Sequence, residues 1–116
     1  MNYLHCDNAN FEDFASGRVL YGGDGIPNFP VRLLNEIFGR AASHIAPREH
    51  LTVFDPCCGG GYSLTVLGFC HNAIIDRLYG SDIDPRMVAH ARKNAALLTR
   101  NGMIARRAEI GRMIEM

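Results

Sequence analysis

Apolar residues recur at helical spacing through Val31, Leu34, Ile37, Phe38, Ala41, Ala42 and Ile45. This predicts an amphipathic helix over residues 30–46. Pro30 suits its first turn, where a missing N–H costs nothing, and Pro47 ends it. Arg32, Glu36 and Arg40 fall on its other faces at i, i+4 spacing and can pair. The pattern then shortens. His50–Phe54 is a brief run suited to a strand buried on both sides. Tyr62 to about His71 reads as a helix with Leu64, Leu67 and Phe69 apolar, capped by Ser63 or by the glycines before it. Arg77–Ser81 reads as a second strand. Residues 85–100 read as a helix opened by Pro85, with Met87, Val88, Ala91, Ala95 and Leu98 on one face and Asn101-Gly102 closing it. Residues 103–116 read as helix more than strand. The first 29 residues are mostly irregular, with turn clusters at Asn8–Asn10 and Gly22–Gly25 and a short helix around Phe11–Ser16 capped by Asn10. Phe11, Phe14, Val19, Leu20 and Tyr21 are available to pack there.

The two strands carry the chemistry. Val53-Phe-Asp-Pro-Cys-Cys-Gly-Gly-Gly61 places Asp55 at the end of the first strand and glycines before the helix, and Leu78-Tyr-Gly-Ser-Asp-Ile-Asp-Pro85 ends the second strand in acids. This is the layout of a βαβ unit that binds a nucleoside cofactor. Glycine lets backbone N–H groups approach a ligand where a Cβ would collide. The glycines miss the G-x-G-x-x-G spacing that seats a pyrophosphate on a helix N-terminus, and no G-x-x-x-x-G-K-[ST] P-loop is present. An Asp directly after the first strand suits S-adenosylmethionine, which has an amine and a sulfonium but no phosphate. Asp55 can accept from the amine or orient the loop. Pro56, Cys57, Cys58 and Gly59, Gly60, Gly61 bring the backbone close. Asp82, Ile83 and Asp84 offer carboxylates to the ribose hydroxyls. A sharp turn with no ligand is the alternative reading of three glycines, and the acids at both strand ends weigh against it.

Composition removes some classes. At 116 residues the chain makes at most one small domain, and its 47% hydrophobic content is ordinary for a globular protein. No apolar run approaches the roughly 20 residues of a membrane span. The N-terminus has neither the basic start nor the apolar block of a signal peptide, so cytoplasm is the expected compartment. Cys57, Cys58, Cys70 and His71 allow a metal reading, but without a C-x-x-C pair small apolar packing residues explain them better. No metal is expected. Net charge is zero, yet residues 1–30 carry −3 and residues 76–116 carry +3, with eleven of twelve basic residues being Arg. Arginine suits phosphate, although a solvated helix face accounts for the same charges. The five histidines form no ligand pattern, and no acid–base constellation surrounds Ser63.

Asp55-Pro-Cys-Cys-Gly-Gly-Gly with Tyr79-Gly-Ser-Asp-Ile-Asp-Pro resembles the class I S-adenosylmethionine-dependent methyltransferases. Phe14-Ala-Ser-Gly-Arg-Val-Leu-Tyr21, Asn28-Phe-Pro-Val-Arg-Leu-Leu-Asn-Glu-Ile-Phe38 and Tyr62-Ser-Leu-Thr-Val-Leu-Gly68 narrow the likeness to the avilamycin-resistance type of 23S ribosomal RNA guanine methyltransferases, over residues 14 to about 107. The resemblance implies an α/β, Rossmann-like fold that uses S-adenosylmethionine to methylate a guanine of large-subunit rRNA. On that likeness Arg18 and Arg32 become candidates to hold the cofactor carboxylate or an RNA phosphate, with a surface ion pair as the alternative for each.

The family pattern continues into later strands, one of which ends in an Asp-x-Pro-Tyr-like element at the target base. That element has no counterpart here, and no catalytic residue is assigned. The expectation is a fold truncated after the second strand and its following helix: an N-terminal segment over residues 1–29, then an incomplete cofactor-binding half-domain over residues 30–116. Its partners would be ribosomal RNA and either a missing C-terminal half or a second protein chain. The alternative is a non-catalytic cofactor-binding or interaction module that needs a partner. A nicotinamide-dependent oxidoreductase half is a third reading.

Overall fold

The structure, a computed structural model, describes residues 3–6, 11, 14, 19–22 and 28–115, with side chains through residue 112. Its elements are α1 (Val31–Ala42), β1 (Leu51–Asp55), α2 (Tyr62–Cys70), β2 (Ile75–Gly80), α3 (Pro85–Ala96) and α4 (Arg100–Glu115). Of the helix expected at Phe11–Ser16 only Phe11 and Phe14 are described, the Phe14 N–H donating to the Phe11 carbonyl at 3.0 Å; the Asn10 cap and Arg18 lie outside the described residues.

β1 and β2 pair in parallel, with Val53 opposite Leu78, Phe54 opposite Tyr79 and Asp55 opposite Gly80. A parallel pair needs a crossover, and α2 supplies it. That helix is apolar almost all round, as suits a helix buried between layers: Tyr62, Val66 and Leu67 join Leu20, Val31, Leu34, Ile75 and Leu97 in one core. Phe11, Phe14, Val19 and Tyr21 pack against it, so these residues, with Leu20, are core material. Side chains alternate across a strand. Val53 and Leu78 pack against the core, while their neighbours Phe54 and Tyr79 are 60% and 51% exposed. Parallel sheets are ordinarily covered on both faces. Among the described residues this one is covered on one.

Several boundaries differ from the sequence reading. α1 ends at Ala42, before Pro47, where the Ser43 hydroxyl donates to the Arg40 carbonyl at 2.6 Å. Pro30 stands just before α1, outside its first turn. Glu36 does pair with Arg40, at 3.2 Å, but it is not on a solvent face. The N–H groups of Leu4 and His5 donate to its carboxylate at 2.7 and 2.6 Å and bury it. Burial pushes that carboxyl up, but these donors and the Arg40 guanidinium outweigh it and hold it below the usual carboxylate range. β1 starts at Leu51, because His50 has φ +55°.

The largest correction concerns Asn101-Gly102. The helix expected through residue 100 ends at Ala96, and these two residues lie in the first turn of α4. The Gly102 N–H donates to the Thr99 hydroxyl at 3.1 Å. A Cβ at Gly102 would stand 1.9 Å from the Ala96 carbonyl oxygen. The glycine is there because the end of α3 passes so close to it, and the helix-stop reading of the same dipeptide mistook a close approach for a cap.

Candidate functional site

Where the two strands end side by side, the chain builds a small hydrogen-bonded frame. The Ser81 N–H donates to the Asp55 carbonyl at 3.0 Å and the Cys58 N–H to the Ser81 carbonyl at 2.8 Å, extending the strand pairing past both ends. The Ser81 hydroxyl donates to the Pro56 carbonyl at 2.9 Å. Asp55 folds back to accept from the Cys57 N–H at 3.0 Å. Asp82 spans the gap: one oxygen accepts from the Gly59 N–H at 3.0 Å, the other from the Asp84 N–H at 2.9 Å. A carboxylate has about four acceptor positions, so Asp82 keeps capacity for a ligand. Asp84 caps α3 by accepting from the Arg86 N–H at 2.9 Å and pairs with the Arg86 guanidinium at 3.1 Å. These donors, led by the Arg86 side chain, hold its carboxyl below the ordinary range.

The frame floors an open cleft of about 590 Å³, lined by both Asp55 and Asp82. That volume is ordinary for a site taking a small organic ligand. Of the other residues singled out in the sequence, Cys57, Cys58, Gly59, Gly60 and Asp84 line it as well, whereas Pro56, Gly61 and Ile83 are not among its lining. Ile83 is fully exposed. The three glycines have separate duties. Gly59, which lines the cleft, has φ +54° and open space around its missing Cβ. Gly61, with φ +75°, stands at the N-terminus of α2, and a Cβ there would sit 2.8 Å from the Ala91 Cα. It lets α2 and α3 touch. Neither Ser63 nor any other side chain caps α2.

Gly60 is held from behind. Asn94, fully buried on α3, donates to the Gly60 carbonyl at 2.9 Å and to the Tyr21 carbonyl at 3.0 Å, and accepts from the Tyr21 N–H at 2.7 Å. His90 approaches the same Tyr21 carbonyl at 2.7 Å. Tyr21 in turn carries the Arg106 guanidinium 4.1 Å above its ring and donates its hydroxyl to Glu109 at 3.0 Å. Tyr21, α3, α4 and the glycine loop are thus one connected assembly.

Sequence reasoning missed Asn28, Phe29, Arg86 and Met87 in the cleft lining, and it missed Asn94. A signal existed for Asn94: it stands at i+7 from Met87 and i+3 from Ala91, a polar residue on the apolar stripe of α3. Arg32 is exposed on α1, its guanidinium 5.1 Å from the Tyr3 ring centroid, and is not part of the cleft lining.

Burial raises the Cys58 thiol, and the Asp55 and Asp82 carboxylates raise it further, so it stays neutral. Cys70 and His71 lie at the opposite end of α2 from Cys57 and Cys58. His71 contacts Asn35 at 2.6 Å, and burial lowers its pKa. Among the described residues no group of three His, Cys, Asp or Glu side chains could hold a metal ion, and no helix is long and apolar enough to cross a membrane.

Comparison with known proteins places this geometry. The family model for the rRNA methyltransferase AviRa matches residues 1–116. The 23S rRNA (guanine(2535)-N(1))-methyltransferase of Streptomyces viridochromogenes is 44% identical over 108 residues, which is 92% of this chain. Two solved structures of the rRNA methyltransferase aviRa from the same organism, at 1.5 Å and 2.4 Å, superpose with a TM-score of 0.89 at 43% identity over 94% of this chain. The chain spans 43% of the curated relative's length and 44% of the solved chains.

Proposed function

The chain belongs to the AviRa family of rRNA methyltransferases, and from that membership we propose that it is the S-adenosylmethionine-binding portion of an enzyme that methylates a guanine of 23S ribosomal RNA. One observation carries the reading: Asp55 and Asp82 face a single cleft, and the Gly59 N–H is already tied to Asp82 across it. The residues fit the cofactor. A cleft lined by Gly59, whose Cα side is open, and by two separate carboxylates suits a ligand that carries an amine and a ribose. Asp55 would receive the amine. Asp82 would receive the ribose hydroxyls, because Asp84 is engaged with α3 and Arg86. Asn94 and the Tyr21 segment would hold the loop rigid against them.

When bound, S-adenosylmethionine supplies a methyl group on a sulfonium. Held by Asp55, the Gly59 backbone and Asp82, it would supply that methyl to guanine N1, the acceptor in the relative's name, the S–CH3 bond breaking as the N–C bond forms and the N1 proton being given up. That reaction rests chiefly on in-line alignment. No residue among those described is assigned to the proton. The finer reading of the fold is a Rossmann-like methyltransferase sheet in which β1 and β2 are neighbours. Further strands, from the rest of such a protein or from a second chain, would complete it. The helices joining such strands would cover the exposed Phe54 and Tyr79 face, which supports that reading. Residues 1–29 would then be a segment that packs on the half-domain of residues 30–116.

Calorimetry with S-adenosylhomocysteine tests the assignment. Saturable binding that Asp82→Ala weakens is expected; folded protein giving no heat at millimolar ligand would refute it. The interaction-module reading is favoured by the same uncovered face. Sedimentation showing a stable monomer at high concentration, with no partner required for folding, would count against it.

A further inference from the structure

Charge is segregated along this chain. Residues 85–108 carry six cations, Arg86, Arg92, Lys93, Arg100, Arg106 and Arg107, and no carboxylate, whereas residues 1–84 carry ten carboxylates against five arginines. The basic stretch forms α3 and the first part of α4. Some of its cations have local tasks. Arg86 pairs with Asp84. Arg106 is buried, donating to the Val19 carbonyl at 2.9 Å and to Glu109 at 3.0 Å. Lys93 lies over the Tyr21 ring at 5.6 Å. Arg92, Arg100 and Arg107 are exposed and form no ion pair among the described residues.

Folding alone does not account for Arg100 and Arg107. Arg100 opens α4, and that helix has no acidic residue in its first turn. A cation there opposes the helix dipole. Arg107 stands seven residues on, which returns it to the same side of the helix about 10 Å along the axis. Between them, at i+4 from Arg100, Ile104 is 56% exposed. The result is an outward ridge of cation, apolar side chain and cation. Guanidinium forks match phosphate oxygens in geometry as well as charge, and an apolar side chain between them can lie against a sugar or base. α3, from which α4 follows, begins at the cleft, where Arg86 and Met87 line it.

We infer that the solvent face of α4 presenting Arg100, Ile104 and Arg107 is a docking surface for the phosphate backbone of RNA. The choice of RNA over another polyanion rests on the RNA-methyltransferase reading. The surface lies outside the cofactor cleft, so the two can be tested separately. The experiment is fluorescence anisotropy with a labelled single-stranded RNA across a salt series, alongside calorimetry with S-adenosylhomocysteine. Each phosphate contact to a single strand contributes about 0.7 to the slope of log affinity against log salt. Arg100→Gln/Arg107→Gln should therefore make the slope shallower by about 1.4 and weaken binding about 15-fold at 150 mM salt, with heats for S-adenosylhomocysteine unchanged. Arg48→Gln/Arg77→Gln removes equal charge elsewhere and should change RNA affinity by less than about twofold.

Unchanged affinity and slope in the first variant would overturn the assignment. So would an equal loss in the second, or equally tight binding of a polyglutamate peptide by the wild type. Binding of RNA through these arginines by a chain that ignores S-adenosylhomocysteine would sink the methyltransferase reading and leave the surface standing.

Discussion

Asn94 is the best place to test whether the cleft is held from behind. Its side chain makes three hydrogen bonds, to the Gly60 carbonyl and to both polar groups of the Tyr21 backbone, and it is wholly buried. Asn94→Leu keeps similar volume and removes all three. The Tyr21 carbonyl retains His90, so two groups are orphaned: the buried Gly60 carbonyl and the half-buried Tyr21 N–H. Each costs about 1–3 kcal/mol, giving about 2–6 kcal/mol in total. That is a large share of the 5–15 kcal/mol a domain typically has. Urea unfolding measures it as a fall in midpoint with unchanged slope. Asn94→Asp sharpens the test. It keeps the acceptor for Tyr21 but sets a carboxylate against two carbonyl oxygens. Its cost should be larger at pH 7 and partly relieved toward pH 4, where the introduced carboxyl takes a proton and can donate once. A leucine variant within about 0.5 kcal/mol of wild type, or an aspartate variant indifferent to pH, would refute the reasoning.

Other outcomes follow from the same geometry. Gly61→Ala combines a left-handed φ with a Cβ 2.8 Å from the Ala91 Cα and should cost about 2–5 kcal/mol; Gly59→Ala, in open space, should cost only about 1–2 kcal/mol. Urea midpoints would rank the two, and equal costs would contradict the separate duties given to them. Asp82→Ala frees the Gly59 and Asp84 N–H groups, and calorimetry should show affinity for S-adenosylhomocysteine falling about tenfold or more, roughly 1.4 kcal/mol. Burial lowers the His71 pKa, so below the ordinary histidine value of about 6.5 the unfolded chain binds the proton first. Stability is therefore full above that value and declines as pH falls beneath it; a series of unfolding curves from pH 7.5 to 5 should show the decline, and His71→Gln should flatten it.

The parts legible in the sequence were those set by local pattern. Strand, glycine turn, helix and acidic second strand are contiguous in the chain, and the parallel pairing of the two strands followed from them. So did the shared cleft of Asp55 and Asp82. What escaped depends on residues far apart in sequence. Glu36 looked like a surface partner for arginine because nothing local announces that residues 4 and 5 will cover it. Asn101-Gly102 looked like a helix stop because the same dipeptide serves a close helix approach. Glycine permits several backbone conformations, and only tertiary structure chooses among them. The division of labour between Gly59 and Gly61 was hidden for the same reason.

The embrace of Tyr21 by α3 and α4 also ties the start of the chain to its later helices. Bonds from residues 19 and 21 reach across 69 to 88 positions to His90, Asn94, Arg106 and Glu109. Contacts of such high sequence separation form late and slowly. The first 22 residues are consequently a poor place to trim. Removing them would strip Arg106 of its aromatic cover and its carbonyl acceptor, and would free Asn94 from the Tyr21 backbone behind the glycine loop.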